Sequence, residues 1–426
     1  MTSAPAVLLL ALAPALVAGH GDDAGVALKA RKVLTCSWDG PQVVDDAVVL
    51  LRDGKIEKVG RAAEVGIPSS YAVIDYGDRW LAPGMVELHC HEAGASLYSF
   101  VNDLNDTVYL ANPGMRASAA VEPGNHSMNM AVAGGVTTVL YIPGSGSNIG
   151  GQGVLLKTAF DTYAKKLVRD PGSLKVAQWG NPESWGPGVG MAFENWNTRN
   201  TFKRGIEYAK AWKRHADGAG PEPPRDVQFD VWRDLYAEQI AVSTHTQMYQ
   251  VVLMTITMIR GELKMPVFLD HSTIGGWLTG ALAKEMGVPA IVGPRSADTV
   301  SRGMINWQRN RHEGFRGVAA GYQERGHDMI GFNTDSPVIP QEELSLNAAM
   351  GARYGMTDEH MQIVRGLTIV PARTAKIDHR VGSLEAGKDA DILVVTGHPA
   401  DPRTSVEAVW VNGESVYDAE RDGRRW

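Results

Sequence analysis

Hydrophobic and polar positions alternate in two different ways along this chain. Both ends carry short apolar runs separated by tight-turn residues. Asp53-Gly54 joins two such runs near the amino end, and Asn412-Gly413 joins two near the carboxyl end. Dipeptides of this kind between alternating segments are typical of two-residue β-hairpins. Because both ends have the same pattern of short strands and hairpin turns, we predict one small β domain that is built from both termini.

The middle of the chain has a different pattern, in which short apolar strands alternate with longer helical stretches. Eight strands are predicted here, at residues 86–91, 136–142, 153–157, 174–179, 240–246, 267–271, 290–292 and 329–334. Eight strands with intervening helices indicate an α/β fold, specifically a (β/α)8 TIM barrel.

Several of these strands end in a side chain that can bind a metal. His89 and His91 are two residues apart, so in a strand both imidazoles point to the same side. Other strands end in His245, His271 and Asp335. In a barrel these ends meet at one mouth, where active sites lie. The set predicts one or two divalent metal ions, for which Zn fits well and Mn, Fe, Co or Ni also fit.

Lys157 ends another apolar run. An ammonium group has no lone pair for a metal, so this lysine could contribute only as a carbamate formed with CO2. The alternative is a structural lysine at a strand end, and the residues alone favour it.

Composition sets the class of protein. The chain has 426 residues, is 44% hydrophobic and 21% charged, and has a formal net charge of -7. These values are ordinary for a globular protein and give no reason to expect a nucleic-acid partner or an anionic membrane. The two cysteines, Cys36 and Cys90, are expected to be buried thiols.

Residues 4–18 form an apolar run rich in alanine and leucine. The run is short for a membrane span, and it predicts a signal peptide that ends near residue 19. The mature protein is then exported, periplasmic or secreted, without a stable membrane span. The alternative is a disordered amino terminus.

The motifs together resemble the amidohydrolase superfamily, in particular its imidazolonepropionase-related branch. The matching segments are the first barrel strand with His89-x-His91, the strand at 135–139, the glycine-rich loop 143–152, Thr334-Asp335-Ser336-Pro337 and the tail 371–391. The resemblance covers nearly the whole mature chain. It implies a metal-dependent barrel with a small β-sandwich from both termini. The expected parts are a signal peptide at 1–19, sandwich segments at 20–82 and 377–426, and a barrel at 83–376.

The resemblance also implies roles for individual residues. His89, His91 and Asp335 would bind one metal ion, His245 and His271 a second, and a carbamylated Lys157 would bridge them. Asp335 would transfer the proton. In the superfamily the bridging lysine is usually on the fourth strand, whereas Lys157 is on the third by this count, so a one-metal site is the alternative.

The reaction type can be narrowed. Deaminases of the superfamily usually have a glutamate three residues after the fifth-strand histidine, where this chain has Met248. This favours hydrolysis of an amide or cyclic amide in a small or short peptide-like substrate. The alternatives are a single-metal deaminase or deacetylase and a non-catalytic relative. Arg199 and Arg295 are candidates for binding a substrate carboxylate, or else form surface salt bridges. The sequence leaves the oligomeric state open, a homo-oligomer included.

Overall fold

The computed structural model describes residues 24–94, 105, 109–178, 190–298 and 315–426. The expected signal peptide lies outside the described residues. The strands are β1 (Gly25–Leu34), β2 (Val43–Arg52), β3 (Lys55–Arg61), β4 (Tyr71–Asp75), β5 (Trp80–Pro83), β6 (Met85–Cys90), β7 (Val136–Tyr141), β8 (Ile149–Lys157), β9 (Leu167–Ala177), β10 (Ala241–Gln247), β11 (Val267–Thr273), β12 (Ala290–Val292), β13 (Ala297–Asp298), β14 (Arg316–Gly317), β15 (Ile330–Phe332), β16 (Ile392–Val395), β17 (Val406–Val411) and β18 (Glu414–Asp418).

Helices fill most of the connections between the barrel strands. The α-helices are α1 (His126–Ala133), α2 (Tyr163–Lys166), α3 (Met191–Ala216), α4 (Val231–Tyr236), α5 (Tyr249–Thr255), α6 (Gly280–Glu285), α7 (Val318–Gln323), α8 (Leu344–Arg353), α9 (Gln362–Leu367) and α10 (Ile369–Thr374). A π-helical segment, Ile256–Glu262, continues α5.

The central sheet has eight strands in the order β15-β12-β11-β10-β9-β8-β7-β6, and it contains all eight strands that the sequence predicts. Its first and last strands approach each other at the mouth, where the amide of His91 donates to the carbonyl of Ser336 over 3.0 Å. The sheet is therefore a nearly closed barrel. Strands such as β6 and β7 are buried along their whole length, as expected for strands covered on both faces.

One barrel strand runs against the others. β8 pairs antiparallel with both β7 and β9, with Thr138 opposite Lys157 and Ile149 opposite Val176. The remaining seven strands are mutually parallel, so the prediction of a regular (β/α)8 barrel is corrected at its third strand. Because β8 is reversed, its carboxyl end lies at the opposite end of the barrel from the mouth.

The two chain ends share a second sheet of eight strands. Its order is β18-β17-β16-β5-β1-β2-β3, with β4 paired to β1. Amino- and carboxyl-terminal strands meet where Ala82 pairs with Leu393. Both expected hairpin turns are present, with positive φ at Asp53-Gly54 and at Asn412-Gly413 as such turns require. The description of this terminal sheet as a β-sandwich stays a prediction, and so do the expected domain boundaries.

Two smaller expectations concern the cysteines and the membrane. Cys36 and Cys90 are buried and free. Within the described ranges, no helix is both long and apolar enough to cross a membrane.

Candidate metal centre

Four barrel strands bring potential ligands to one point. β6 carries His89 and is followed directly by His91, β10 carries His245, β11 carries His271, and Asp335 follows β15. Ligand atoms of His89, His271 and Asp335 all lie within 4.8 Å of one another. The structure thus brings together the five strand-end residues that the sequence selected.

Asp335 is central to the cluster. Its Oδ1 lies 3.1 Å from Nε2 of His89 and 3.5 Å from Nε2 of His91, and its Oδ2 lies 3.9 Å from Nε2 of His271. Nε2 of His271 in turn lies 3.1 Å from Nδ1 of His245. One carboxylate therefore faces three imidazoles, and the fourth imidazole contacts the third.

Backbone carbonyls orient two of these rings. Nδ1 of His91 lies 3.0 Å from the carbonyl oxygen of Ile142, and Nδ1 of His271 lies 3.0 Å from that of Gly293. A carbonyl only accepts, so each Nδ1 carries the proton and each Nε2 keeps its lone pair. Both lone pairs face Asp335, which is the arrangement that a metal ligand needs.

The backbone is strained at two of the ligands. His271 has φ of 68° and Asp335 has φ of 53°, and Ser272 and Ile274 beyond His271 are also left-handed. Such conformations cost about 1–3 kcal/mol each and persist where the surroundings enforce them, commonly at functional sites. Asp298 supplies part of that support, since its carboxylate accepts the amides of Ile274 and Gly275 over 2.7 Å each.

Burial sets the charge of the donors. It lowers the pKa of His89 and of His245 well below the usual histidine value, and it lowers the pKa of His271 to about 4. Burial opposes the ionisation of Asp335, but the imidazoles of His271 and His89 lower the pKa of its carboxyl below the usual range. The cluster therefore offers neutral imidazoles and one carboxylate.

This donor set fits a divalent cation. Nε2 of His245 is buried and has no hydrogen-bond partner among the described residues. Imidazole nitrogen with carboxylate oxygen suits Zn and other late first-row metals. A buried nitrogen without a partner is costly, and a bound metal would satisfy it.

The structure does not bring Lys157 to this cluster. Because β8 is reversed, Lys157 lies at the far end of the barrel, where its Nζ is 2.5 Å from Asp391 and 3.0 Å from Asp389. It is a buried structural lysine in ion pairs with the tail. The expectation that it bridges two metals is corrected by this placement.

Lys175 occupies the place where Lys157 was expected. It lies on β9, the fourth strand of the barrel, and its Nζ is 3.3 Å from Nε2 of His89. Its side chain is fully buried, and burial lowers its pKa to about 8. Sequence reasoning missed it, although 174–179 was predicted as a strand. The available signal was a lysine inside an apolar strand.

Two buried carboxyl groups near the histidines were also missed. Glu87 accepts the amide of His89 over 2.8 Å and the amide of Thr334 over 2.8 Å, so it links the first and last barrel strands. Burial raises the pKa of Glu87 to about 8. The second group, Asp270, lies 3.1 Å from Nδ1 of His89.

The two arginines have different positions. Nε of Arg199 lies 2.9 Å from Glu262 in an exposed ion pair on α3, away from the histidines. This matches the structural alternative for Arg199. Arg295 is exposed and follows Gly293, whose carbonyl accepts from His271, so it lies close to the mouth.

Comparison with known proteins shows similarity to amidohydrolases. Residues 279–416 match the model of the amidohydrolase family. The chain is 25% identical over 415 residues to amidohydrolase tasK of Hapsidospora irregularis, covering 89% of this chain and 40% of that protein. It is 32% identical over 112 residues to a dihydroorotase of Anaeromyxobacter dehalogenans, covering 25% of this chain and 21% of the relative.

A solved structure extends the likeness to the whole fold. The amidohydrolase from Thermotoga maritima superposes with a TM-score of 0.79 at 26% identity, covering 92% of this chain and all of that one. The chain is related to the amidohydrolase superfamily. The assignment to the imidazolonepropionase-related branch stays a prediction. This chain spans less than half the length of the curated relatives it matches, so its own activity is a matter for proposal.

Proposed function

We propose that this protein is a metal-dependent hydrolase that cleaves an amide or cyclic amide bond. The observation that carries the proposal is the buried cluster of His89, His271 and Asp335 at the barrel mouth, with ligand atoms within 4.8 Å of one another. His91 and His245 contact this cluster directly. Such a set has no evident structural purpose, because it places strained backbone and a partnerless nitrogen in the interior.

The proposed ligands divide into two groups. His89, His91 and Asp335 would hold one ion, and His245 and His271 would hold a second, with Zn as the first choice and Mn, Fe, Co or Ni as alternatives. Lys175 replaces Lys157 as the bridging residue. Its neutral amine would attack CO2, forming one N–C bond as one C=O π bond opens and releasing one proton to solvent. The resulting carbamate would bring one negative charge, shared by its two oxygens, to the centre.

Asp335 is the proposed proton carrier. A pair of bound divalent ions supplies hydroxide at neutral pH and polarises a carbonyl. The Asp335 carboxylate would accept the hydroxide proton and then donate it to the leaving nitrogen, acting first as base and then as acid. Its side chain remains 14% exposed, so a substrate can reach it. The backbone carbonyls of Ile142 and Gly293 would hold two of the imidazoles still during these transfers, and Glu87 would hold the backbone at His89.

The substrate is proposed to be a small amide, including cyclic and short peptide-like ones. The likeness to a dihydroorotase supports an amide, and Met248 in place of an acid after the fifth strand disfavours deamination. Arg295 near the mouth is the proposed partner of a substrate carboxylate. Export of the protein is part of this proposal and rests on the residues at 4–18 alone.

A direct test combines metal content with an inactive variant. Purified protein should contain close to two divalent ions per chain by elemental mass spectrometry, and chelation should abolish hydrolysis of amide substrates. Asp335→Asn should lower kcat by roughly 100-fold or more, because general acid–base transfer contributes about 10²–10⁴. Arg199→Ala is the matched control and should keep full activity. Turnover that survives chelation would overturn the proposal.

A single-metal enzyme is the second candidate, because one trio of ligands already forms a compact site on its own. Such a deaminase or deacetylase would hold one ion per chain and would not need Lys175. One ion per chain together with ammonia release would favour it. Two ions with release of an amine and a carboxylate would favour the first.

A further inference from the structure

The unusual feature near the cluster is a fully buried carboxyl group beside the histidines. Asp270 lies on β11, one residue before His271, and its side chain is fully buried. Among the described residues neither of its oxygens has a hydrogen bond of normal geometry. The positive charge of Lys175 acts on this carboxyl group. A buried carboxyl group whose oxygens are poorly hydrogen-bonded is still costly, so its presence here needs a reason.

One atom faces it. Nδ1 of His89 is also buried and also has no other partner within the described part of the chain. It lies 3.1 Å from Oδ2 of Asp270, which is an ion-pair distance without the angles of a normal hydrogen bond, so each atom has the other beside it as a potential partner. The imidazole of His89 is consequently placed between two carboxylates, since its Nε2 is 3.1 Å from Asp335.

The two carboxylates compete for the same proton. A neutral imidazole carries one N–H, and whichever carboxylate receives it leaves the opposite nitrogen with a lone pair. A proton on Nε2 would bond to Asp335 and block the nitrogen that faces His91 and Lys175. A proton on Nδ1 would bond to Asp270 and leave Nε2 free. Unlike Nδ1 of His91 and of His271, Nδ1 of His89 receives no support from a backbone carbonyl among the residues that the structure describes.

We propose that Asp270 is a positioning residue that holds the proton of His89 on Nδ1, so that the Nε2 lone pair points into the metal centre. The proposal rests on the proposed function and deepens it. A group that fixes the far nitrogen of a metal-binding histidine typically changes metal affinity by about 10–100-fold.

The first test measures the tautomer in metal-free protein, without any activity. Nitrogen NMR of isotope-labelled histidine, with His89 assigned from a His89→Gln variant, should show a protonated Nδ1 in the wild type. Asp270→Asn and Asp270→Ala should move the proton towards Nε2, because Asp335 is then the stronger acceptor. An unchanged tautomer in both variants would overturn the proposal.

The second test measures affinity and stability together. In Zn competition with a chromophoric chelator, Asp270→Asn should bind about 10–100-fold more weakly than wild type. Its metal-free unfolding midpoint should be unchanged or higher, because the neutral amide is less costly to bury. Asp230→Asn, the same change at a remote pair with Arg225, is the control and should match the wild type in both.

The outcomes separate the two proposals. If the wild type itself binds no divalent metal, the proposed function fails, while the tautomer measurement still decides the role of Asp270. If the wild type binds metal and Asp270→Asn binds it equally well, Asp270 has no positioning role and the proposed function stands. A lower unfolding midpoint with unchanged affinity would assign Asp270 a merely structural role.

Discussion

At the scale of single residues, two buried lysines show how position decides chemistry. Lys157 and Lys175 are both almost inaccessible, and both are on barrel strands. Lys157 has two carboxylates within 3.0 Å and forms an ion pair with each. Lys175 faces an imidazole nitrogen, and burial lowers its pKa to about 8. A neutral amine reacts with CO2 and an ammonium does not, so we expect only Lys175 to be modified.

Substitution should separate the two lysines. Lys175→Ala should lose bound metal and lower kcat/KM by at least about 100-fold, because several kcal/mol of charge stabilisation is lost. Lys157→Met should keep its metal but lower the free energy of unfolding by about 3 kcal/mol, because it leaves buried carboxylates without their partner. Elemental analysis and urea unfolding measure these effects.

Carbon NMR after labelling with bicarbonate gives an independent readout. A carbamate signal should be present in the wild type and in Lys157→Met and absent in Lys175→Ala. A signal that instead disappears in Lys157→Met would contradict the assignment.

At the scale of secondary-structure elements, the sequence indicated the existence of strands better than their direction. All eight barrel strands were predicted, because each is a short buried apolar run. Nothing in the run 153–157 shows which way it points, since an antiparallel strand buried on both faces has the same pattern as a parallel one. The five proposed ligands could be predicted from the sequence, because each stands at the end of a predicted strand. Lys175, Asp270 and Glu87 could not, because their roles depend on neighbours distant in sequence.

The turn after β11 is the element on which the centre depends most. The backbone is left-handed at His271 and Ser272 near the end of β11 and again at Ile274 in the turn. Asp298 holds the turn by accepting two amides and the indole N–H of Trp277, the last over 2.9 Å. Ile274 is β-branched, so its positive φ is especially unfavourable. The carboxylate of Asp298 therefore stabilises both the turn and the position of His271.

Removing that support should be measurable. Asp298→Ala should lower the free energy of unfolding by about 2–3 kcal/mol, because charge-assisted hydrogen bonds to amides are lost. It should also weaken Zn binding. Asp328→Ala removes an exposed carboxylate 3.6 Å from Lys284 and should cost less than about 1 kcal/mol. Urea unfolding of the two variants compares these losses. Equal decreases in the free energy of unfolding would mean that Asp298 does not stabilise the turn.

At the scale of the whole molecule, one ion cluster joins the barrel to the terminal sheet. Asp389 lies 2.5 Å from Lys55, 3.0 Å from Lys157 and 2.9 Å from Arg380, and Asp391 also contacts Lys157. Three cations from different parts of the chain thus surround two neighbouring buried carboxylates. Burial opposes the ionisation of Asp389, but Lys157 and the other cations lower its pKa to about 2.

This shift predicts a dependence of stability on acid. The folded pKa is below the ordinary value of 3.8, so the contribution is complete above that value and is lost as pH falls through about 2. The advantage of wild type over Asp389→Asn in free energy of unfolding should shrink by about 2 kcal/mol between about pH 5 and about pH 2. Urea titrations at several pH values measure it, and a constant difference would contradict the cluster's role.

The same cluster ties the order of synthesis to the completion of the fold. Lys157 is made before its partners Asp389 and Asp391, and the latter follows it by 234 residues. Until these partners emerge, the interior of the barrel contains a cation without a counter-charge, and β5 lacks its neighbour β16. A nascent chain stopped before the tail is therefore an unfinished barrel rather than a barrel without an accessory sheet. Synthesis of the segment that contains Asp389, Asp391 and β16 is therefore the event that allows both sheets to close.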